Sequence, residues 1–366
     1  MKVPLVDLRA SLTPIREELF RRFEQTLDDM QLFLGPNVRG LEQEFAAYCE
    51  VEHGLGVSSG TDALSLAFRA LDIGPGDEVI VPSLTFFATI EAVVHVGATP
   101  VMVDVTPDTL TIDPEAIAAV LSDRTKAIVP VHLFGHPADM DPILEIAADR
   151  DLRVVEDCAQ AHGARYRGRC CGSMGDVGTF SFYFTKNLGG FGEGGFVTTN
   201  RADLSEAMGQ IRNHGHVSKF EHARIGYNYR LDEMQAVILR LKLPHLESNN
   251  KRRLAIANRY DDRLRDVAEL PTIDDGCRHV YHLYPIRISN RDALRDHLEQ
   301  RGIGTGIHYR IPGHRQAALR DVPHRIGSMA VTDHVCTRLL SIPIFPEMTD
   351  EQVEYVGDTV LAFGRG

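Results

Sequence analysis

Thr179-Phe180-Ser181-Phe182-Tyr183-Phe184-Thr185-Lys186-Asn187-Leu188-Gly189-Gly190-Phe191-Gly192-Glu193-Gly194-Gly195 is the stretch on which the reading of this chain turns. An aromatic strand ends in a single lysine and runs into five glycines within seven residues. Gly190, Gly192 and Gly195 match G-x-G-x-x-G, but a dinucleotide site needs a strand before that motif and a helix after it. Phe196-Val197-Thr198-Thr199 follows, which is a strand pattern, so the nicotinamide reading is rejected. The glycines instead allow a backbone to approach a cofactor closely. A lysine in apolar surroundings has its charged form disfavoured, and its amine becomes a nucleophile toward carbonyls. Lys186 therefore reads as a Schiff-base lysine, weighed against a solvated lysine at a strand end.

Working outward, short β-branched runs at 78–81, 100–103, 127–131, 153–156, 177–184 and 195–199 alternate with helical patterns at 62–71, 85–96, 114–121 and 139–150. Continuous apolar strands alternating with helices predict a mostly parallel sheet covered on both faces. Helices are expected ahead of it at 14–32 and 38–49, and after it at 231–246 and 249–265, parted by Pro244, Ser248 and Asn249. A strand at 281–288 follows, then a helix capped by Asn290 that ends before Gly302. The expected division is a large domain over 1–248, with an N-terminal helical segment, and a smaller α+β domain over 249–366.

In a parallel α/β sheet, ligands gather outside the carboxyl ends of the strands. Ser58-Ser59-Gly60-Thr61 ends a short apolar run before a helix, where first-turn amides and hydroxyls suit a phosphate as well as an ordinary cap. Glu156-Asp157 stops another strand, so that Asp157 can meet a cation or protonated ring nitrogen and Gln160 a nearby polar group; a capping Asp is the alternative. Arg212, Asn213, His214, Lys219 and Arg224, ahead of Asn228 and Arg230, form a candidate cationic cluster or a solvated loop. The pairs His132/His136 and His214/His216 lack the companion ligands of a zinc site, and no metal is expected.

Composition bounds the function. The 366 residues carry 39 Lys and Arg against 51 Asp and Glu, a net charge of −12, with 43% hydrophobic and 25% charged residues. Disorder and a collagen-like repeat are excluded, and an acidic chain lacks the basic face a nucleic-acid binder needs. An anionic ligand must therefore be met by local cations. Six scattered cysteines read as free thiols in a reducing compartment. With no signal-like or membrane-length apolar run, the expected location is cytoplasmic.

In this order the segments resemble the DegT/DnrJ/EryC1/StrS sugar aminotransferases, a branch of the aspartate aminotransferase fold. The resemblance runs from Val6-Asp7-Leu8 and Phe33-Leu34-Gly35-Pro36 to Leu340-Ser341-Ile342-Pro343. It implies a seven-stranded, mostly parallel sheet and pyridoxal 5'-phosphate as cofactor, alternating with pyridoxamine 5'-phosphate. Lys186 would carry the cofactor and move the proton, and Asp157 would pair with the pyridinium nitrogen. Gln160 would reach the ring hydroxyl and Phe86 would stack on the ring, with the phosphate against Gly60, Thr61 and Ser181. Asn228 would reach that phosphate from a partner subunit, implying a homodimer with shared sites.

The stretches around His132–Asp141, Arg230–Gln235 and His308–Pro312 look most like enzymes that use L-glutamate to aminate carbon 3 of a dTDP-linked 3-keto-6-deoxyhexose, in deoxyamino sugar biosynthesis. Tyr183, Lys219, Arg224, His308, Tyr309 and Arg310 are the substrate candidates. Gly226-Tyr227-Asn228-Tyr229 is shared with carbon-4 enzymes, so a 4-keto sugar remains an alternative, as do a UDP-linked 3-keto sugar, a free cyclitol ketone and a non-catalytic regulatory homologue.

Overall fold

The glycine-rich stretch joins two adjacent strands at the centre of the protein, in a computed structural model that describes residues 1–365. The sheet contains β1 (His53–Val57), β2 (Glu78–Pro82), β3 (Thr99–Val103), β4 (Thr125–Ile128), β5 (Arg153–Asp157), β6 (Val177–Ser181), β7 (Gly195–Thr199) and β8 (Arg325–Ile326). Their spatial order is β1-β7-β6-β5-β4-β2-β3-β8. All neighbours pair parallel except β7, which is antiparallel to both β1 and β6. The expected α/β architecture is thus present, with one strand more than the seven expected, because the two-residue β8 extends the β3 edge.

Every residue of β2 and β7 is buried, as a sheet covered on both faces requires. The helices Gly60–Ala70, Ala88–His95 and Ala202–Ile211 supply one apolar layer. Pro36–Tyr48 with Glu233–Lys242, and Pro114–Val120 with Met140–Asp149, supply the other. A further core joins Leu246–Leu264, Arg291–Gln300, Asp350–Arg365 and the pair Tyr284–Arg287/Leu339–Ile342, and it includes Val3 from the chain start. Among the described residues no helix is long and apolar enough to cross a membrane.

Several expected bounds shift for local reasons. β1 was not among the runs read as strands, since Gly54 and Gly56 lower its strand propensity. Both glycines are needed for packing: a Cβ on Gly54 would lie 2.5 Å from the Phe196 ring, and one on Gly56 2.9 Å from Leu231. The 177–184 strand stops at Ser181, because the chain must turn there to bring Lys186 back over the sheet. Helix 85–96 begins only at Ala88, and Pro244 marks a tight turn after which one helix runs unbroken from Leu246 to Leu264, so Ser248 and Asn249 do not interrupt it. Asn290 precedes its helix without a side-chain cap, whereas Gly302 takes the left-handed φ of 74° expected just past the helix end.

One carboxylate fastens the sheet to its surroundings. Glu156, fully buried near the end of β5, accepts from the amides of Gly172 (2.8 Å), Met174 (2.7 Å) and Gly175 (2.7 Å) and from His132 Nε2 (3.0 Å). The Ala138 amide donates to His132 Nδ1 (2.9 Å), which fixes the proton on Nε2. Glu156→Ala would orphan these buried donors and should cost about 3 kcal/mol or more of stability, read by urea unfolding. Unfolding within about 0.5 kcal/mol of the parent protein would contradict this role.

Candidate active site

Because β1, β2, β5 and β6 run in one direction, their carboxyl ends open on one edge of the sheet. Ser59, Phe86, Asp157 and Lys186 follow those ends. At the first, Ser59 caps the Gly60–Ala70 helix through the Asp62 amide (3.1 Å), while Ser58 and Ser59 hydroxyls donate to Asp62 at 2.6 and 2.8 Å. The Gly60 and Thr61 amides are left without backbone partners, as first-turn amides are. A Cβ on Gly60 would lie 2.8 Å from that of Ser181, so glycine keeps a concavity between the helix start and β6. Positive helix end, free amides and space together suit a phosphate.

Asp157 is buried, and it accepts from the Thr89 hydroxyl (2.8 Å) and the Ala159 amide (3.1 Å). Among the described residues it has no ion-pair partner. A buried carboxylate in that state fits a protonated ring nitrogen. The Gln160 side chain is held between the Phe134 amide (2.6 Å) and the Tyr309 hydroxyl, to which it donates at 2.9 Å. Phe86 lies near Tyr309, ring centroids 6.1 Å apart, and is 58% exposed, leaving a flat apolar face uncovered at the mouth.

Lys186 is half-buried, its amide bonded to the Tyr183 carbonyl at 2.8 Å. Burial pushes its amine down to about 8, with the Asp157 charge opposing the shift. Two histidines flank it. His308, bonded to Ser341 at 3.0 Å, is pushed down to about 4 by burial and by the lysine's charge, and the same causes hold His282 well below its usual range. Neutral imidazoles beside a weakly basic amine make a site equipped for proton transfer.

The remaining expected residues separate. Tyr183 stays by the lysine, its ring 4.0 Å from that of Phe184. Lys219 and Arg224 are exposed on the projecting hairpin His216–Ser218/Glu221–His222, and Asn228 and Arg310 are exposed as well. The cationic cluster does not form within this chain, because Arg212 turns inward to pair with Glu42 at 2.5 Å and to bond the Gly56 carbonyl at 2.8 Å. His132, Glu156 and Cys158 lie close enough to suggest a metal site, but the histidine and carboxylate are already engaged with each other and with backbone amides.

Sequence reasoning missed Thr89, Asn187 and His282, which hold or flank Asp157 and Lys186, and also Lys242 and Arg253. The last two line a cavity of about 230 Å³ next to Lys186. Lone polar residues within helix and loop patterns carry no local sign of this use; only their convergence shows it.

A depressed lysine amine, a buried carboxylate without an ion-pair partner among the described residues and a concave helix start are features that a pyridoxal-phosphate site needs. The chain belongs to the DegT/DnrJ/EryC1/StrS aminotransferase family, whose pattern matches residues 13–361. It is 47% identical to a UDP-N-acetyl-3-dehydro-alpha-D-glucosamine 3-aminotransferase of Acidithiobacillus ferrooxidans, over 98% of this chain and 97% of that one. It is 46% identical to a dTDP-3-amino-3,4,6-trideoxy-alpha-D-glucose transaminase of Streptomyces venezuelae, over 98% and 95%. Its fold superposes with a TM-score of 0.97 on the crystal structure of S. venezuelae DesV in complex with a ketimine intermediate, at 45% identity and covering 100% and 99% of the two chains.

Since desolvation disfavours the charged form, Lys186 and Lys242, both half-buried, should become reactive below the pH at which surface lysines do. Burial likewise lowers Lys242 to about 8. Acylation of cofactor-free protein at graded pH, mapped by mass spectrometry, should half-label Lys186 and Lys242 near pH 8 and surface lysines near about 10. Titration of Lys186 together with the surface lysines would remove the electrostatic basis of this site.

Proposed function

We propose that the protein transfers the amino group of L-glutamate to carbon 3 of a nucleotide-linked 3-keto hexose. The observation that carries the chemistry is the convergence of Lys186, Asp157 and Gln160 over the Gly60–Ser181 cradle. The nucleotide-sugar reading is supported by the two relatives above, both named for 3-amino or 3-keto sugars. A dTDP-linked 6-deoxy sugar remains the first reading from the sequence, and the Acidithiobacillus relative favours a UDP-linked sugar as the second.

In this reading Gly60, Thr61 and Ser181 hold the cofactor phosphate, Asp157 keeps the ring nitrogen protonated, Gln160 bonds the ring hydroxyl and Phe86 covers a face. The bound cofactor supplies a conjugated ring that accepts the electron pair left when a proton departs from the substrate carbon. Lys186 would hold the cofactor and move the proton at the substrate carbon, for which an amine lowered to about 8 is suited. Thr89 fixes the Asp157 carboxylate by its 2.8 Å bond. Tyr183, His308 and Tyr309 are the candidates for bonding the sugar, and Lys219, Arg224 and Arg310 those for the diphosphate.

A homodimer completes the proposal. Asn228 is exposed on its own chain, and Phe220 and Ile225 on the neighbouring hairpin are 87% and 88% exposed, a surface that needs apolar cover. A Lys186→Ala chain, inactive alone, and an Asn228→Ala chain, weak alone, should recover activity when mixed, and an active monomer would contradict the shared site. Borohydride reduction of the holoenzyme should place a pyridoxyl adduct on Lys186, and Lys186→Ala should abolish turnover with the fold kept.

The substrate is tested by incubating the holoenzyme with L-glutamate and a panel of dTDP- and UDP-linked 3-keto and 4-keto sugars. Mass spectrometry and NMR should find the new amino group on carbon 3. An amino group on carbon 4 would refute the regiochemistry, and conversion of a free cyclitol ketone alone would refute the nucleotide-sugar assignment.

A further inference from the structure

The cavity beside Lys186 contains two cations that the chemistry described so far does not use. Arg253, on the helix Leu246–Leu264, is 5% exposed and has no carboxylate within 4.0 Å among the described residues. Its Nη1 donates to the carbonyls of Tyr281 (3.1 Å) and Ile344 (2.7 Å), while Nε and Nη2 have no protein partner among the described residues. Lys242 spends one of its donors on the Gly189 carbonyl (2.8 Å), rests 4.4 Å from the centre of the Phe191 ring and likewise has no ion-pair partner among the described residues. Both line the same cavity as Lys186 and Asn187.

The cavity's two acids do not neutralise them at close range. Asp7 uses its carboxylate to cap the helix Leu8–Leu12, and Glu347, half-buried, is pushed above the usual carboxylate range by burial. A buried guanidinium with two unbonded nitrogens beside a half-buried ammonium is costly unless an anion completes it.

Size narrows the choice. At about 230 Å³ the cavity falls below the roughly 300–1,000 Å³ of sites that hold drug-sized ligands. It admits an amino acid and not a whole nucleotide sugar. A donor amino acid must also bring its amino group to the atom that Lys186 serves, and a dicarboxylate carries two anionic ends for two cations.

We propose that Lys242 and Arg253 form the subsite that binds the carboxylates of the dicarboxylic amino donor, separate from the exposed face of Phe86 beside Tyr309. This rests on the transaminase reading above and adds to it the residues that select the donor. Donor and acceptor then share only the reacting position at Lys186, and the nucleotide plays no part in the donor's cavity. Bidentate pairing suits Arg253 to a planar carboxylate, and Lys242 serves as the point charge for the other end.

The test uses the holoenzyme and glutarate, a dicarboxylate that lacks the reacting amine, measured by titration calorimetry. Glutarate should bind the parent protein and bind Lys242→Met about tenfold or more weakly, the expected loss of a charge-assisted bond. Arg253→Lys, which keeps the charge but loses the fork, should weaken glutarate as well, with circular dichroism checking its fold. Binding of dTDP or UDP should be unchanged in Lys242→Met and should not be displaced by glutarate. In the half-reactions, the KM for L-glutamate should rise while single turnover of a keto sugar by the pyridoxamine form stays the same.

Equal glutarate affinity in Lys242→Met and parent, no glutarate binding by the parent, or competition between glutarate and the nucleotide would each overturn the assignment. If no keto sugar were converted, the nucleotide-sugar reading would fall while the glutarate titration would still decide the donor subsite.

Discussion

The site depends on how β5 ends. Successive residues of a strand point to opposite faces, so Glu156 and Asp157, adjacent in the chain, are sent to different tasks. Glu156 saturates both oxygens with the amides of 172, 174 and 175 and with His132, anchoring the loops behind the sheet. Asp157 is left facing the edge where the strands emerge, steadied by Thr89 and with no cation of its own. The Thr89 hydroxyl and the Ala159 amide hold the Asp157 carboxylate in place there.

That fixed negative charge sets the balance at Lys186. Burial pushes the lysine amine down and the Asp157 charge opposes the shift, so the amine settles at about 8. Such an amine can act as nucleophile in one step and take up a proton in the next. His282 and His308, held neutral, add bonding capacity without adding a competing charge. Lys242 and Arg253 line a cavity together with Lys186 and have no ion-pair partner among the described residues.

Some features were legible because they are local. The run from aromatic strand through Lys186 to glycines, with a strand and not a helix after it, excludes a dinucleotide site by its local pattern alone. Acidic residues at the end of a continuous apolar run marked Asp157, and Gly302 announced a helix end through the one conformation glycine takes without cost. β1 was hidden for the opposite reason: its glycines serve contacts with Phe196 and Leu231, which are remote in sequence.

By itself, then, the sequence determined the alternation of strands and helices, the lysine, the carboxylate and the hydroxyl- and glycine-bearing turn at 58–61, because each is written in a contiguous stretch whose backbone conformation follows from its own residues. Only the tertiary structure decided which polar groups face them. Arg212 was drawn out of the expected cationic cluster by Glu42, 170 residues away in the chain. Tyr309 became the partner of Gln160 across 149 residues, and Arg253 was left with unspent donors beside Lys186. Such pairings turn on burial, and burial is a property of the packed chain: a charge acquires its partner, or lacks one, only when distant segments close water out around it.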